Sequence, residues 1–387
     1  MGSIYFVLVF LLILGILVFF HELGHFLAAK MLGMRVLEFA FNMGPRVVRL
    51  YHDGETEYTI RAIPLGGFVR IAGMEVEDEV SETAKLTNGL VNTNTRLERQ
   101  EAVRIDETPS ASVRADDPRG YNNRPVWQRA IVILAGPVFS FLLGWITLCL
   151  IGVVAGIPDK TQLGVGEVLK GSVAEQVGLK KGDTITAINA KPVENYTVAL
   201  KTIHASAGQP LTLRLRDKEG TLRDVSATPR TQTDRETGKQ IGLLGFQPEP
   251  ITLTVRRTSL AESFSQGNML TLRWFELMGS LISSGAITKS VGGPVAIFKE
   301  TTSASKRGGP EPMFLLGQLS LSLGLFNLFP IPILDGGHLM LLALESLRRR
   351  KLTPAQTAGV QYAGLAILLT IFILVMFKDV SGLLKNG

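Results

Sequence analysis

Residues 18–30 read VFFHELGHFLAAK and close a long run of uncharged, mostly apolar residues at the start of the chain. An ionisable side chain is costly in hydrocarbon, so two histidines and a glutamate at this place need an offsetting interaction. His21 and His25 are four residues apart and therefore project from the same face of a helix, one turn above each other. Both imidazoles can then reach one metal ion, while Glu22 lies about 100° around the helix beside them. The stretch predicts a metal site inside a transmembrane helix.

The apolar residues of the chain are gathered into long runs, which is typical of a membrane protein. They make up 46% of the 387 residues. Each of four runs approaches the ~20 residues that a bilayer requires. These runs are Ile4 to Ala28, Ala130 to Gly156, Phe314 to Leu342 and Val360 to Phe377. The first is expected to be a retained helix rather than a signal peptide, because no basic residue precedes it and no small-residue cleavage site ends it. The predicted fold is a polytopic α-helical membrane protein with four transmembrane helices.

Basic residues flank these runs in a pattern that membrane topology explains, so the net charge of +6 does not indicate a nucleic-acid partner. Lys30 and Arg35 follow the first run, Arg124 and Arg129 precede the second, and the basic loop 348–351 follows the third. By the positive-inside rule both of these connections are cytoplasmic. The N-terminus, the long segment between the second and third runs, and the C-terminus are then expected outside the cytoplasm.

Polar segments separate the runs. Within residues 34–128, the stretch TEYTIRAIPLGGFVRIAG (56–73) alternates apolar and polar residues around a Pro-Leu-Gly-Gly break, which predicts a membrane-proximal β-hairpin. Residues 75–123 are rich in polar and acidic side chains and predict a mobile cytoplasmic loop. Residues 158–250 alternate short apolar strands with glycine turns, including a hairpin that turns at Lys218 to Gly220. They predict an inserted α+β domain outside the cytoplasm.

An amphipathic, helical pattern follows that domain, within the predicted segment 251–312. From about Leu260 to Ile287 its Trp274 and Phe275 are suited to a membrane interface. A helix that packs on the outer domain would show the same pattern, and the sequence leaves both interpretations open.

The third run carries the ligand that a zinc site still needs. Catalytic zinc usually has three protein ligands and one open position, and NLFPIPILDGGH (Asn327 to His338) places Asp335 within a span. At 1.5 Å per residue, His21 lies roughly 26 Å from Ile4 and Asp335 roughly 31 Å from Phe314. Because both runs enter from the outer face, the two sites are expected to meet at similar depth, toward the cytoplasmic side.

The same stretch predicts a broken helix. Pro330 and Pro332 cannot continue a regular helix, and Gly336-Gly337 are expected to loosen the chain beyond them. Broken backbone in a membrane is tolerated where it lines a cavity. Asn327 is placed where its amide could hydrogen-bond a substrate carbonyl or a developing oxyanion, although it could equally join two helices.

These parts predict hydrolysis of a peptide bond. His21, His25 and Asp335 are the predicted zinc ligands, and Glu22 is the predicted general base that takes a proton from the attacking water and delivers it to the leaving amine. A zinc transporter or sensor, or a peptide-binding scaffold on an inactive membrane anchor, are the competing functions. Glu22 argues against the transporter or sensor, because a site that only binds zinc has no need of a carboxylate that is not a ligand, and four spans leave little room for alternating access. The intact set of His21, Glu22, His25 and Asp335 argues against the scaffold, because an inactive anchor would not need to bury these residues.

The remaining histidines are predicted to have no direct part in metal binding. His52 and His204 stand in polar surroundings and are expected at the surface. His338 follows Asp335 by three residues, where it could support the ligands without being one.

HELGH in the first run and NxFPxPxLDGG in the third closely resemble the motifs of the site-2 protease family of intramembrane zinc metalloproteases, in particular its bacterial regulator of sigma E protease group. The resemblance extends along nearly the whole chain, through IPLGGFVRIAG, NNRPVWQRAIVILAGPVFSFLLG and VGGPVAIF. It implies Zn²⁺ held by the three predicted ligands, Glu22 as catalytic base and Asn327 as a substrate-positioning residue. It also implies that residues 158–250 form one PDZ domain, where members of the group often carry two, and that the hairpin binds an unwound substrate as an added strand.

The resemblance further implies partners and location. Its substrates are single-span membrane proteins already trimmed outside the cytoplasm, such as anti-sigma factors, together with remnant signal peptides, which are cut in regulated intramembrane proteolysis. The protein is expected in the bacterial inner membrane, in contact with lipid, with both termini and the PDZ domain outside the cytoplasm. Its expected domains are a first transmembrane helix at 1–33, the hairpin and loop region at 34–128, a second helix at 129–157, the PDZ domain at 158–250, an amphipathic segment at 251–312, a third transmembrane segment at 313–347, and a basic loop with a fourth helix at 348–387.

Overall fold

The computed structural model describes residues 2–74, 117–233, 240–285 and 292–386. The chain divides into two compact units, here called the helical unit (Met1–Ile151 with Ser263–Gly387) and the strand-rich unit (Gly152–Glu262). Residues 75–116 of the predicted mobile loop, and the end of the predicted amphipathic pattern beyond residue 285, lie outside the described residues.

The described helices and strands are numbered here in chain order. The helices are α1 (Gly2–Met31), α2 (Val126–Val154), α3 (Val173–Gln176), α4 (Tyr196–Ala205), α5 (Leu260–Ser283), α6 (Pro294–Arg307), α7 (Glu311–Asn327), α8 (Asp335–Arg348) and α9 (Pro354–Asn386). The strands are β1 (Val36–His52), β2 (Glu57–Ile71), β3 (Ile157–Val168), β4 (Thr184–Ile188), β5 (Lys191–Pro192), β6 (Leu211–Arg216), β7 (Leu222–Ala227), β8 (Arg230–Thr233), β9 (Gln240–Leu243) and β10 (Phe246–Arg256).

Three helices in the described part of the chain are long and apolar enough to cross a membrane. They cover Ile4–Met31, Val126–Val154 and Ala355–Asp379, within α1, α2 and α9. A helix of ~20 apolar residues has the length that the hydrocarbon core requires. The chain is therefore a membrane protein with a separate unit rich in strands.

The remaining predicted span is divided between α7 and α8. The predicted break is observed, because α7 ends at Asn327 and α8 begins only at Asp335, with both prolines in the connection. Ile333 in this connection has a φ of 89°, a value that a β-branched residue rarely adopts. Neither half-helix alone is among the helices long enough to span a membrane.

The two glycines after Asp335 have a different role from the predicted one. The expectation that they loosen the chain is wrong, because both lie in the first turn of α8. A Cβ atom at Gly336 would overlap the backbone oxygens of Leu328 and Phe329. The glycine therefore allows the start of α8 to pack directly on the backbone of the connection.

The membrane-proximal strands form a larger hairpin than predicted. The expectation of a complete hairpin within residues 56–73 is wrong: these residues supply one long strand, β2, whose partner is β1. Ala40 of β1 lies opposite both Phe68 and Thr59 of β2, so the first part of β1 has β2 residues on two sides. The sequence hid β1 because Gly44-Pro45 and several arginines interrupt its apolar alternation.

Helix α5 packs inside the helical unit. Trp274 is 6% exposed and belongs to a cluster with Leu148 and Leu321, and a Cβ at Gly267 would overlap the backbone of Cys149. The amphipathic face is thus covered by α2 and α7. The expectation that Trp274 faces a membrane interface is wrong, whereas Phe275 remains 42% exposed.

The strand-rich unit contains a six-stranded antiparallel sheet that packs around a hydrophobic core. Its strand order is β10-β3-β4-β6-β7, with β5 paired to β4, and β8 and β9 form a separate pair. Buried Leu163, Ile185 and Leu213 lie at the centre of its hydrophobic cluster. The predicted turn at Lys218 to Gly220 is observed between β6 and β7, where Gly220 has a φ of 90°.

Candidate active site

The described residues bring the three predicted metal ligands together. His21 and His25 lie on one face of α1, and their Nε2 atoms are 3.4 Å apart. Asp335, the first residue of α8, places Oδ2 3.1 Å from Nε2 of His21 and Oδ1 3.5 Å from Nε2 of His25. Ligands bound at ~2.0–2.1 Å to a tetrahedral zinc are roughly 3.3–3.4 Å apart. The three side chains thus already have the spacing that one such ion requires.

The second nitrogen of each imidazole is held by α2. Nδ1 of His25 lies 2.8 Å from the backbone oxygen of Val132. Because a carbonyl oxygen only accepts, Nδ1 must carry the proton, which leaves a lone pair on Nε2. Nδ1 of His21 lies 3.0 Å from Oγ of the fully buried Ser140. Partners of this kind fix the ring orientation and the tautomer of metal-binding histidines.

The Asp335 carboxylate fits a bound cation. Its Oδ2 is buried and accepts no hydrogen bond among the described residues, although it lies 3.1 Å from Nε2 of His21. With the proton of His21 on Nδ1, that short distance joins two atoms that both offer electron pairs. A buried oxygen in this state is costly, and a shared metal ion would satisfy both atoms.

Two glycines create the space for the imidazoles between α1 and α2. A Cβ at Gly136 would overlap Nε2 of His25 and lie 3.0 Å from Cε1 of His21. On the facing helix, a Cβ at Gly24 would overlap the backbone oxygen of Ala135. Helices can approach closely only where such small residues meet. Gly136, which is buried, therefore leaves the room that both imidazoles occupy.

The ligands lie in the wall of a cavity of 240 Å³, here called the polar cavity. Glu22 and Asn327 line it with them, so the structure collects all five predicted site residues around one space. Asn327, the last residue of α7, donates from Nδ2 to the backbone oxygen of Leu323 at 3.1 Å. The amide has two N–H donors, so this bond still leaves one for another acceptor.

Strand β2 forms another side of the polar cavity. Phe68, Val69 and Ile71 line it beside Glu22. Residues 67–71 pair with β1 along one edge, so a backbone edge lies next to the candidate base. An extended peptide could add to such an edge and bring its own backbone to Glu22.

Of the other three histidines, only His338 lines the polar cavity. This location is in keeping with the expectation of a supporting position. His52 is exposed and accepts a hydrogen bond from the backbone N–H of Gly54, and His204 is half-buried in α4. The surface position expected for His204 is therefore only partly observed.

Comparison with known proteins places this arrangement in a family. Residues 9–371 match Peptidase family M50. The chain belongs to this family. The predicted resemblance to intramembrane zinc metalloproteases, based on HELGH and LDGG, is thereby confirmed, and the protein is a peptidase.

Curated relatives align with this M50 peptidase along its whole length. It is 31% identical to zinc metalloprotease RasP of Geobacillus kaustophilus over 419 residues, which covers 96% of this chain and 97% of the relative. It is 29% identical to regulator of sigma-W protease RasP of Bacillus subtilis, with 97% and 98% covered. It is also 29% identical to the probable protease Eep of Enterococcus faecalis, again with 97% and 98% covered.

Sequence reasoning about this M50 peptidase missed the residues of α2 that support the histidines. Val132 acts through its backbone, which carries no sequence signal, and Ser140 and Gly136 are small residues of an apolar helix. Their importance depends on how α2 is rotated against α1. Helical spacing alone offers a partial signal, because Val132, Gly136 and Ser140 recur every four residues and so share one face.

Proposed function

We propose that this M50 peptidase is an intramembrane zinc metalloprotease that cuts a peptide bond within the transmembrane segment of single-span membrane proteins. The observation that carries the proposal is the convergence of Nε2 of His21, Nε2 of His25 and a carboxylate oxygen of Asp335 within 4.8 Å of one another. Relatives named zinc metalloproteases over nearly the same length support zinc as the cofactor.

The proposed roles follow from the positions of the side chains. His21, His25 and Asp335 hold the zinc ion, which when bound polarises the substrate carbonyl and activates the attacking water as a Lewis acid. Glu22 takes the proton of the water and delivers it to the leaving amine. Asn327 donates its free N–H to the substrate carbonyl oxygen as negative charge develops there. The polar cavity provides space for that water beside Glu22 and the proposed ligands.

The substrate must be extended at the cut. A helical peptide bond is shielded by its own hydrogen bonds, so a transmembrane segment has to unwind locally before attack. The β2 edge beside Glu22 supports the proposal that the unwound segment binds as an added strand. This mode uses backbone hydrogen bonds and tolerates many substrate sequences.

The proposal includes a membrane topology and a class of substrate. We place four spans in the bacterial inner membrane, the third being formed by α7 and α8 together and the fourth by α9. The termini and the strand-rich unit lie outside the cytoplasm and the site toward the cytoplasmic side. Within the strand-rich unit, the sheet and the helices α3 and α4 support a PDZ domain. A relative named regulator of sigma-W protease supports anti-sigma factors as substrates, and remnant signal peptides are a further class.

The decisive experiment compares Glu22→Gln with native protein, purified in detergent, on a single-span model substrate. Glu276→Gln, an exposed glutamate of α5, is the matched control. We expect native protein and the control to cut within the span, and Glu22→Gln to keep its zinc but to lose roughly 10²- to 10⁴-fold in rate. Zinc content is measured for all three proteins.

Two outcomes would contradict the proposal. Cleavage by Glu22→Gln at the native rate would remove Glu22 as the base. Zinc bound by native protein without cleavage of any single-span substrate would favour the zinc transporter or sensor, or the scaffold on an inactive anchor.

A further inference from the structure

A second cavity lies beside the polar cavity and is almost entirely apolar. Its volume is 320 Å³, against roughly 30 Å³ for one water molecule in the liquid. One wall is a stripe of α1 that includes Leu11, Gly15, Phe19 and Glu22. These residues are three or four positions apart and therefore share a helix face. The stripe leads directly to the candidate base.

The opposite wall belongs to the hairpin. Phe41 of β1 stacks on Phe19 with ring centroids 5.1 Å apart and planes inclined by 11°. Gly67 of β2, which pairs with Phe41, also lines this wall. A Cβ at Gly67 would lie 3.6 Å from Cγ of Glu22. Glu22 lines both cavities, so the apolar cavity opens beside the place where the peptide bond would be cut.

The distance along α1 indicates which part of a substrate could reach this space. Gly15 precedes Glu22 by seven residues, which is about 10 Å along a helix. An extended peptide advances ~3.3 Å per residue. A strand on the β2 edge with its scissile bond at Glu22 would therefore bring its third or fourth residue from that bond level with Gly15.

We propose that the apolar cavity is a specificity subsite that receives a large apolar side chain of the substrate, three or four residues from the scissile bond. The inference rests on the proposed function, because it assumes an extended substrate cut at Glu22. Apart from Glu22 and Asn42, the lining residues are apolar or glycine, so a polar or charged side chain finds few partners there. The proposed occupant is the substrate chain itself, because Glu22 lines this cavity as well as the polar cavity that holds the predicted ligands.

Gly15 provides a direct test of this subsite. A Cβ at Gly15 would meet no atom within 4 Å, so a larger side chain fits without disturbing the protein and fills the cavity instead. A leucine is also a better helix former than glycine. Gly15→Leu should therefore fold and bind zinc while it excludes the substrate side chain.

The experiment uses single-span substrates that carry Ala, Leu, Phe or Trp at each of four positions on either side of the cut, which is located by mass spectrometry. Native enzyme should cut the Leu substrate about tenfold or more faster than the Ala substrate at one of these positions, measured as kcat/KM. In Gly15→Leu this ratio should fall to near one. Leu11→Ala, which enlarges the cavity, should instead shift the preference from Leu toward Phe or Trp.

Gly279→Leu is the matched control, because Gly279 lies in α5 and also has no atom within 4 Å of an added Cβ. It should keep the native ratio. An unchanged ratio in both Gly15→Leu and Leu11→Ala, or rates for both substrates that fall by one common factor as an acyl chain in the cavity would cause, would overturn the subsite. Failure of zinc-loaded native enzyme to cut either substrate would overturn the proposed function and this inference with it.

Discussion

At the scale of single residues, the hydroxyl of Ser140 links α2 to the proposed metal site. It is fully buried and lies 3.0 Å from Nδ1 of His21. When Nε2 of His21 binds a metal, Nδ1 carries the proton and donates it to Oγ of Ser140. Ser140 thereby holds the ring in the orientation that the ion needs.

We expect Ser140→Ala to weaken zinc binding by about 10- to 100-fold, because the ring loses its partner while the ligands themselves remain. The measurement is competition with a chelator of known affinity. Thr147→Val is the control, because Thr147 is a buried residue of the same helix whose hydroxyl donates to the backbone of Leu143. Equal zinc affinity in Ser140→Ala and native protein would refute the positioning role.

At the scale of elements, a buried ion pair joins α2 to α8. Arg129 donates from both terminal nitrogens to the carboxylate of Glu345, at 3.0 and 2.6 Å. The side chains are only 5% and 12% exposed. Since α2 supports the histidines and α8 carries Asp335, we expect this pair to fix the two halves of the proposed metal site against each other.

We expect Arg129→Met to destabilise the protein by about 3–5 kcal/mol, because it leaves a buried carboxylate without its partner. Adding Glu345→Gln should recover much of the loss, and zinc content should fall in the single variant. Thermal unfolding in detergent and zinc analysis measure both effects. Arg214→Met removes the partner of an exposed pair with Asp224 and should change little. A single variant as stable as native protein would show that the pair does not hold α8 in place.

The elements also show where sequence reasoning succeeds and where it stops. The broken span was predictable because two prolines act locally on the backbone, and the histidine pair was predictable because helical spacing is local. Strand β1 was not, since its pairing on both sides of Ala40 depends on residues distant in sequence. Likewise the contacts of Gly136 and Trp274 depend on helix rotation and packing, which no single segment encodes.

At the scale of the whole molecule, the chain combines a unit with three long apolar helices and a unit rich in strands. Its single cysteine, Cys149, is buried in α2. A Cys149→Ala protein therefore offers a clean background for labelling at introduced cysteines. The proposed membrane topology can be tested on this background with the full-length protein.

We expect Lys191→Cys, at an exposed site of the strand-rich unit, to react with a membrane-impermeant maleimide in right-side-out vesicles. Arg350→Cys, in the exposed basic loop after α8, should react only after the vesicles are opened, since positively charged loops stay in the cytoplasm. Labelling is read by the mass shift of the protein. The reverse pattern would invert the proposed topology.

The proposed metal site combines residues of α1 and α8, which are synthesised at widely separated times. A ribosome that adds ~5–20 residues per second needs roughly 15 to 60 s to pass from His25 to Asp335. During that interval the nascent chain already holds two ligands in its first helix but lacks the third. Under the proposed function, a newly made chain therefore cannot cut other proteins until its synthesis is almost finished, because the proposed site is complete only once α8 has been made.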